Sequence, residues 1–271
     1  MPELPEVQNF VNALNKSYAG LKIKEIQFHR ENLRYPFQKK ELFKIFSQGN
    51  FFQRCYREGK QMVLETSQGS VHVSLGMSGS FKPILSKSLE KHQHVSLYFE
   101  NGEGLAYVDP RRFGFWIIKQ EIDSETSSCD PLNKNELEIL FLSEEVMQKR
   151  VTVKDLLMDQ KIIGGIGNIY AVEALFHAKI SPLKLCYEVS LQKWKDLAQV
   201  IPQILEQAIH LGGSSISTYR SLNGNKGSFQ DVHQVYGRES QACLKNDCKG
   251  TIKRIVQKGR STWFCSLCQK N

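Results

Sequence analysis

The chain has 271 residues, 41% hydrophobic and 24% charged, the composition of a folded protein with one large or two modest domains rather than a disordered chain. Its 36 Lys and Arg outnumber 28 Asp and Glu, and the resulting formal charge of +8 favours a polyanionic partner. No run of about 18 apolar residues is present to span a bilayer, and the acidic, Pro-containing start resembles no secretion signal. A cytosolic protein is expected, with its seven cysteines reduced or bound to metal.

From the N-terminus, Leu4, Val7, Val11, Leu14 and Tyr18 recur at spacings of three and four, which predicts an amphipathic helix ending near Gly20. Short strand-like runs follow at Lys22–Phe28, Phe51–Tyr56, Gln61–Glu65, Ser70–Leu75, His94–Phe99, Leu105–Val108 and Phe113–Lys119. Gly-containing turns at Glu58-Gly59, Gln68-Gly69 and Asn101-Gly102 separate several of them, the pattern of a β-sandwich or partly closed barrel. The polar stretch Glu121–Pro131 reads as a linker.

Beyond it the period becomes helical. Helices are expected over Glu136–Arg150, over Thr152–Met158 with Thr152 and Asp155 placed as a capping box, and over Asn168–His177. Another, Ser190–Leu211, is capped by Ser190, kinked or broken at Pro202 and stopped by Gly212-Gly213. Gly, Ser and Asn dominate from there through Ser228, a loop composition. From about Gln230 the chain is a cysteine-bearing module. The fold class is α+β, divided as 1–130, a β-sandwich with its leading helix, 131–228, a helical region, and 229–271, the cysteine module.

Five sets of residues carry chemistry. Removal of Met1 leaves Pro2 with a secondary amine, and an α-amino group titrates near ~8, so a neutral fraction exists at pH 7. Such an amine attacking an aldehyde-like carbon forms a cationic iminium, an electron sink. Glu3 stands beside it as a proton donor, and Glu6 falls one helical turn later. The spacing C-x4-C-x16-C-x2-C of Cys243, Cys248, Cys265 and Cys268, flanking a hairpin-length stretch, suits one structural Zn2+ with four thiolate ligands. Cys55, Cys129 and Cys186 have no such partners.

Gly164-Gly165-Ile166-Gly167-Asn168 lacks the third glycine and the βαβ setting of a dinucleotide loop. It reads either as a simple helix entry or as a tight turn into a helix whose N-terminal amides face an anion such as a phosphate, with Asn168 and Lys154 as neighbouring donors. Asp109-Pro110-Arg111-Arg112-Phe113-Gly114 joins two strands, and Phe113 can wedge a base step while Arg111 hydrogen-bonds the base left without a partner. Met77 is a further candidate wedge on a glycine-flanked turn, although as lone features Met77 and Phe113 are more often core residues. Lys60, after Gly59, is either a phosphate contact or a solvated turn charge.

Together these segments resemble the formamidopyrimidine-DNA glycosylases, bacterial enzymes that excise oxidised purines. The matching pieces are PELPEV at the start, Gly59-Lys60, LGMSG at 75–79, KHQHV at 91–95 and DPRRFG at 109–114. They continue with LMDQKIIGGIGNIYAVEALF at 157–176, GGSS at 212–215, VYGRES at 235–240 and GRSTWFCSLCQK at 259–270, spanning the chain in family order.

The resemblance implies an N-terminal β-sandwich, a helix–two-turn–helix region and a zinc hairpin, with double-stranded DNA containing oxidised bases or abasic sites lying across the cleft. A monomer is expected, with no membrane partner. The family's nucleophile maps onto Pro2, its acid onto Glu3 with Glu6 in support, and its phosphate contacts onto Lys60, His92, Lys154, Asn168 and Arg260. Its void-filling residues map onto Met77, Arg111 and Phe113, with Arg112 beside them in the DNA-binding loop. The loop around Ser217–Gln230 is where the family covers the extruded base. Two departures stand out: Ser74 replaces a frequent His phosphate contact, and the first zinc pair is C-x4-C rather than C-x2-C. The rivals are the sister class that favours oxidised pyrimidines, a non-catalytic zinc-containing DNA-binding protein, and a zinc-ribbon transcription factor. Leu4 in the opening motif, with Arg111 and Phe113, favours the purine class.

Overall fold

Alternating apolar residues, cut at short intervals by glycine turns, build two four-stranded antiparallel sheets from the first 118 residues. A computed structural model of the chain describes residues 2–86, 88–118, 128–215, 222 and 224–270. The first sheet contains β1 (Ile23–Phe28), β5 (Ser80–Pro83), β6 (Gln93–Phe99) and β7 (Gly104–Val108) in the order β1-β6-β7-β5. The second contains β2 (Phe52–Glu58), β3 (Gln61–Thr66), β4 (Gly69–Ser74) and β8 (Phe115–Ile117) in the order β2-β3-β4-β8.

One core joins the sheets. Phe81, Leu97, Phe99 and Tyr107 from the first meet Phe52, Met62, Val73 and Trp116 from the second. The Trp116 ring lies 5.7 Å from Tyr107 and 6.0 Å from Phe81. Helix α1 (Leu4–Tyr18) adds Val7, Phe10, Val11, Leu14 and Tyr18 to the same cluster, the face its periodicity predicts. This is the expected β-sandwich with its leading helix.

Two elements of this unit have no counterpart in the sequence reading. Helix α2 (Lys39–Ile45) buries only Leu42 and Ile45, too few positions to establish a helical period. Strand β5 has four residues and ends at Pro83 on a sheet edge, where a missing N–H is tolerated. Strand β8 starts at Phe115 because Phe113 and Gly114 remain in the preceding loop. Lys119 and residues 121–127 of the expected linker lie outside the described residues.

The second unit is helical. Glu136–Arg150 forms two helices instead of one: α3 (Lys134–Phe141) and α4 (Glu144–Met147). Ser143 causes the break by accepting the Val146 N–H at 3.3 Å as a new N-cap. Helix α5 (Val153–Met158) has Thr152 as its cap, which accepts the Asp155 N–H at 3.2 Å. Helix α6 (Asn168–His177) is central, with eight residues buried. Helix α7 (Leu191–His210) continues through Pro202 and is not broken there. Proline removes one intrahelical bond, but Trp194, Leu197, Ala198, Ile201, Leu205 and Ala208 keep the helix seated along its buried face. The hairpin β9 (Ile252–Gln257) and β10 (Arg260–Cys265) packs Ile252 and Cys265 with Val172 and Phe176 of α6. Among the described residues no helix is long and apolar enough to cross a membrane.

The compact units comprise residues 1–125 with 211–228, and 126–210 with 229–271. Segment 211–228 falls with the sandwich, where Leu222 joins the core, and residues 229–271 fall with the helices.

A buried carboxylate organises the second unit. Glu173 of α6 accepts backbone N–H groups of Gln234 at 2.9 Å, Val235 at 3.0 Å and Tyr236 at 2.8 Å. Burial raises its pKa, and these three amides with Arg238 oppose the rise. His233 sits beside this segment with the Phe229 and Tyr236 rings each 5.4 Å away, and burial lowers its pKa to about 4. A folded-state pKa below the unfolded value means full stability above about pH 6.5 and progressive loss as pH falls toward 4. Urea unfolding of wild type should show this acid-side loss, up to about 1.4 kcal/mol per pH unit. His233→Phe should flatten it, whereas an unchanged pH slope would remove His233 as its source.

Candidate functional site

Helix α1 starts where the chain must leave extended Glu3 and enter its first turn at Leu4-Pro5. Pro2, Glu3 and Glu6 are all buried. The Glu6 carboxylate has one oxygen for each of two backbone amides: Oε2 accepts the Glu3 N–H at 2.8 Å, and Oε1 accepts the Ser214 N–H at 2.7 Å. One side chain therefore ties the residue after Pro2 to the segment following α7.

That approach requires glycine. Gly213 has φ +79°, and a Cβ there would lie 2.6 Å from Glu6 Oε1. The far end of the segment closes on the same place, with the Gly227 N–H donating to Ser215 Oγ at 2.8 Å and the Ser228 N–H to the Leu211 carbonyl at 2.9 Å. Within the expected 217–230 loop, residues 217–221 and 223 lie outside the described residues. Lys60 is half-buried in the β2–β3 turn. The neighbouring Arg57 guanidinium ties this turn to α1, donating to Gln8 at 3.1 Å and to the Gly59 carbonyl at 3.2 Å.

A second group forms where two loops abut. Asp109 is fully buried, accepts Ser78 Oγ–H through Oδ1 and accepts the Gly114 N–H at 2.8 Å through Oδ2. Ser78 Oγ in turn accepts the Arg111 N–H at 3.0 Å. Gly76 permits the contact, since a Cβ there would lie 2.5 Å from the Phe113 carbonyl carbon. The result presents Met77, 40% exposed, and Phe113, 46% exposed, on adjacent turns. Neither is a core residue. The Arg111 guanidinium lies over the Phe113 ring, 4.9 Å from its centroid.

His92 and Arg112 are exposed and hold left-handed backbones at φ 65° and 59°, conformations costing on the order of 1 kcal/mol each. The His92 carbonyl accepts the Asp109 N–H at 3.1 Å, and His94 Nε2–H donates to the Asp109 carbonyl at 2.8 Å. Burial lowers the His94 pKa, favouring the neutral ring that makes this bond. The organising role of Asp109 was not anticipated, although an Asp-Pro turn signal marked its position.

In the helical unit, Lys154, Asn168 and Arg260 meet the start of β10. Asn168, first residue of α6, donates its side-chain amide to the Ser261 carbonyl at 2.9 Å, and its buried Oδ1 has no hydrogen-bond partner among the described residues. Arg260 is exposed. Lys154 is only 2% exposed, and its Nζ donates to Thr262 Oγ1 at 2.6 Å. The expected phosphate donor is thus engaged in joining α5 to the hairpin. The glycine turn before α6 is held by Gln160, which accepts the Gly165 N–H at 3.0 Å and donates to the Ile166 carbonyl at 2.8 Å.

Cys243, Cys248, Cys265 and Cys268 converge so that all four sulfurs lie within 4.8 Å of one another. A Zn–S bond of about 2.3 Å in tetrahedral geometry places thiolates roughly 3.8 Å apart. The observed Cys243–Cys268 and Cys248–Cys265 separations are 3.8 and 3.7 Å. Amides of Gly250 and Cys268 donate to Cys248 and Cys265 sulfurs, each at 3.4 Å. The cluster is a structural zinc site, and the longer C-x4-C knuckle closes through a left-handed Asp247. Cys55, Cys129 and Cys186 stand apart from it.

Three family models match the chain: the formamidopyrimidine-DNA glycosylase N-terminal domain over residues 1–116, the H2TH domain of the same enzymes over 128–220, and a zinc finger found in FPG and IleRS over 241–271. Formamidopyrimidine-DNA glycosylase of Bradyrhizobium sp. (strain ORS 278) is 36% identical, with all of both chains covered. That of Ruthia magnifica is 37% identical over 99% of this chain and 100% of its own. Among solved structures, Lactococcus lactis Fpg in complex with abasic-site DNA superposes with a TM-score of 0.84 at 31% identity, covering 99% of this chain and all of its own. The Thermus thermophilus MutM (FPG) protein gives 0.83 at 31% identity, covering 99% and 98%.

Elemental analysis should find one zinc per chain, and Cys248→Ser should lose it and change emission from Trp263, which packs 4.4 Å from Tyr236. Full-length protein with no zinc and unaltered hairpin fluorescence would contradict the site. Gly213→Ala must displace Glu6, and should slow single-turnover reaction about ten- to hundred-fold with a smaller effect on DNA affinity. Wild-type rates for this variant would separate the segment from the N-terminal pair.

Proposed function

This chain belongs to the formamidopyrimidine-DNA glycosylase family, and on that premise we propose that it excises oxidised purines from duplex DNA and then cleaves the strand at the abasic site. The carrying observation is the buried N-terminal pair held by Glu6. A general DNA-binding scaffold has no need to fix its second and third residues against a segment more than two hundred positions away.

The lesion's C1′ lies inside the stack, so the nucleotide must first be flipped, at a cost of about a few kcal/mol. Met77, Arg111 and Phe113 would enter the vacated space and offset part of that cost; their exposure on rigidly joined loops supports this role. Lys60, His92, Arg112, Asn168 and Arg260 would contact backbone phosphates, with Lys154 supporting the hairpin from beneath. With Met1 removed, the neutral Pro2 nitrogen would attack C1′, and the C1′–base bond would break with its electrons leaving on the base, which takes up the proton that the attacking amine sheds. Glu3 would donate a proton to the sugar ring oxygen as the ring opens to the iminium. A base then takes a C2′ proton, the C–H electrons flowing toward the iminium, and the resulting enamine expels the 3′ phosphate with its bonding electrons; a second elimination expels the 5′ phosphate. The zinc holds the hairpin and takes no part in these steps.

Sodium borohydride added during reaction with an 8-oxoguanine duplex should reduce the iminium and trap protein on DNA, more efficiently than with a thymine glycol duplex. Pro2→Gly keeps an amine but loses the ring, and should form far less adduct. Active protein that gives no adduct would contradict the covalent route, and preferential trapping on thymine glycol would contradict the purine preference.

A further inference from the structure

Between β1 and α2 the chain makes a finger, residues 29–37, that the sequence motifs did not single out. Its backbone is fixed at three points: the His29 N–H donates to the His94 carbonyl at 2.9 Å, the Leu33 N–H to the Tyr35 carbonyl at 3.0 Å, and the Phe37 N–H to the Glu31 carbonyl at 3.1 Å. Leu33 and Phe37 are buried in the sandwich core, so the finger is anchored from inside. Its tip is exposed. Arg34 and Tyr35 face solvent, and Tyr35 retains 47% of its accessible surface.

The tip also leans on the loop that carries Phe113. The Arg34 N–H donates to the carbonyl of Gly114 at 3.2 Å, and the Tyr35 ring lies 5.6 Å from that of Phe115. The Arg34 guanidinium rests 5.6 Å from the Tyr35 ring centroid. No carboxylate within salt-bridge distance pairs with Arg30, Arg34, Arg111 or Arg112 among the described residues. The nearby acids are engaged elsewhere: Glu31 pairs with Lys39 at 2.7 Å, and Asp109 is buried on Ser78 and Gly114. A finger serving only to pack would bury its aromatic ring and pair its cation. This one does neither, and it adds positive charge beside Arg111 and Arg112.

We propose that the Arg34–Tyr35 tip is a further duplex contact, with the guanidinium on a backbone phosphate next to the Phe113 loop and the Tyr35 ring holding it in place. This rests on the DNA-binding reading above and extends it to residues outside the matched motifs. Arginine on an aromatic platform suits the task, because its planar fork meets phosphate oxygens while the ring restricts its rotation.

The test is the salt dependence of affinity for a duplex carrying a stable abasic-site analogue. Arg34→Gln should lower the slope of log Kd against log salt by about 0.9, so that its affinity deficit relative to wild type shrinks about three-fold between roughly 50 and 200 mM salt. Arg34→Lys should restore the slope. Tyr35→Leu should keep the slope and weaken binding about two- to five-fold. An Arg34→Gln slope equal to wild type overturns the phosphate contact, and a Tyr35→Leu affinity equal to wild type overturns the role of the ring. Binding is read without turnover. Wild type that binds but gives no borohydride adduct would therefore count against the chemistry alone and leave this comparison interpretable.

Discussion

A single buried carboxylate, Glu6, fixes the start of this chain by accepting the Glu3 amide on one oxygen and the Ser214 amide on the other. An unpaired backbone N–H in such a place costs about 1–3 kcal/mol, so both donors hold the carboxylate as firmly as it holds them. The constraint explains why the segment after α7 leaves the helical unit and joins the sandwich. It also explains the glycine at 213, where any side chain would occupy the space of the carboxylate. N-terminal residues usually fray, and here they cannot without breaking a contact across the unit.

Buried carboxylates that accept backbone amides recur at two further places, Asp109 and Glu173. Asp109 joins the Met77 turn to the Phe113 loop, so apolar side chains that would otherwise collapse inward remain exposed. Glu173 gathers three successive amides ahead of the zinc module, and the four cysteines fix the module's other end. Rigid presentation matters energetically, since side chains that fill a gap in stacked DNA must not spend the gain on their own ordering.

What the sequence disclosed follows the range of each interaction. Every strand of the sandwich except the four-residue edge strand β5 was visible because alternation is a neighbour effect, and the zinc ligands because each pair is close in sequence around one hairpin. Helix α2 was not visible, since it buries only two residues. The break at Ser143 and the continuity at Pro202 depended on caps and packing that a periodic pattern averages away. The family motifs located Pro2, Glu3, Lys60, Met77 and the arginine loop as points along the chain. Their joining contacts were invisible: Glu6 to Ser214 spans 208 positions, and Asn168 to Ser261 spans 93. Lys154 is a further case, because its contact with Thr262 spans 108 positions.

If one carboxylate holds the N-terminal pair in place, a single nitrogen should carry the chemistry. The direct measurement is to reduce the protein–DNA intermediate, digest both polymers and locate the sugar remnant by mass spectrometry. The account predicts a remnant on the N-terminal nitrogen of Pro2 in peptides that lack Met1. A remnant on a lysine side chain such as Lys60, or active protein that retains Met1, would contradict it.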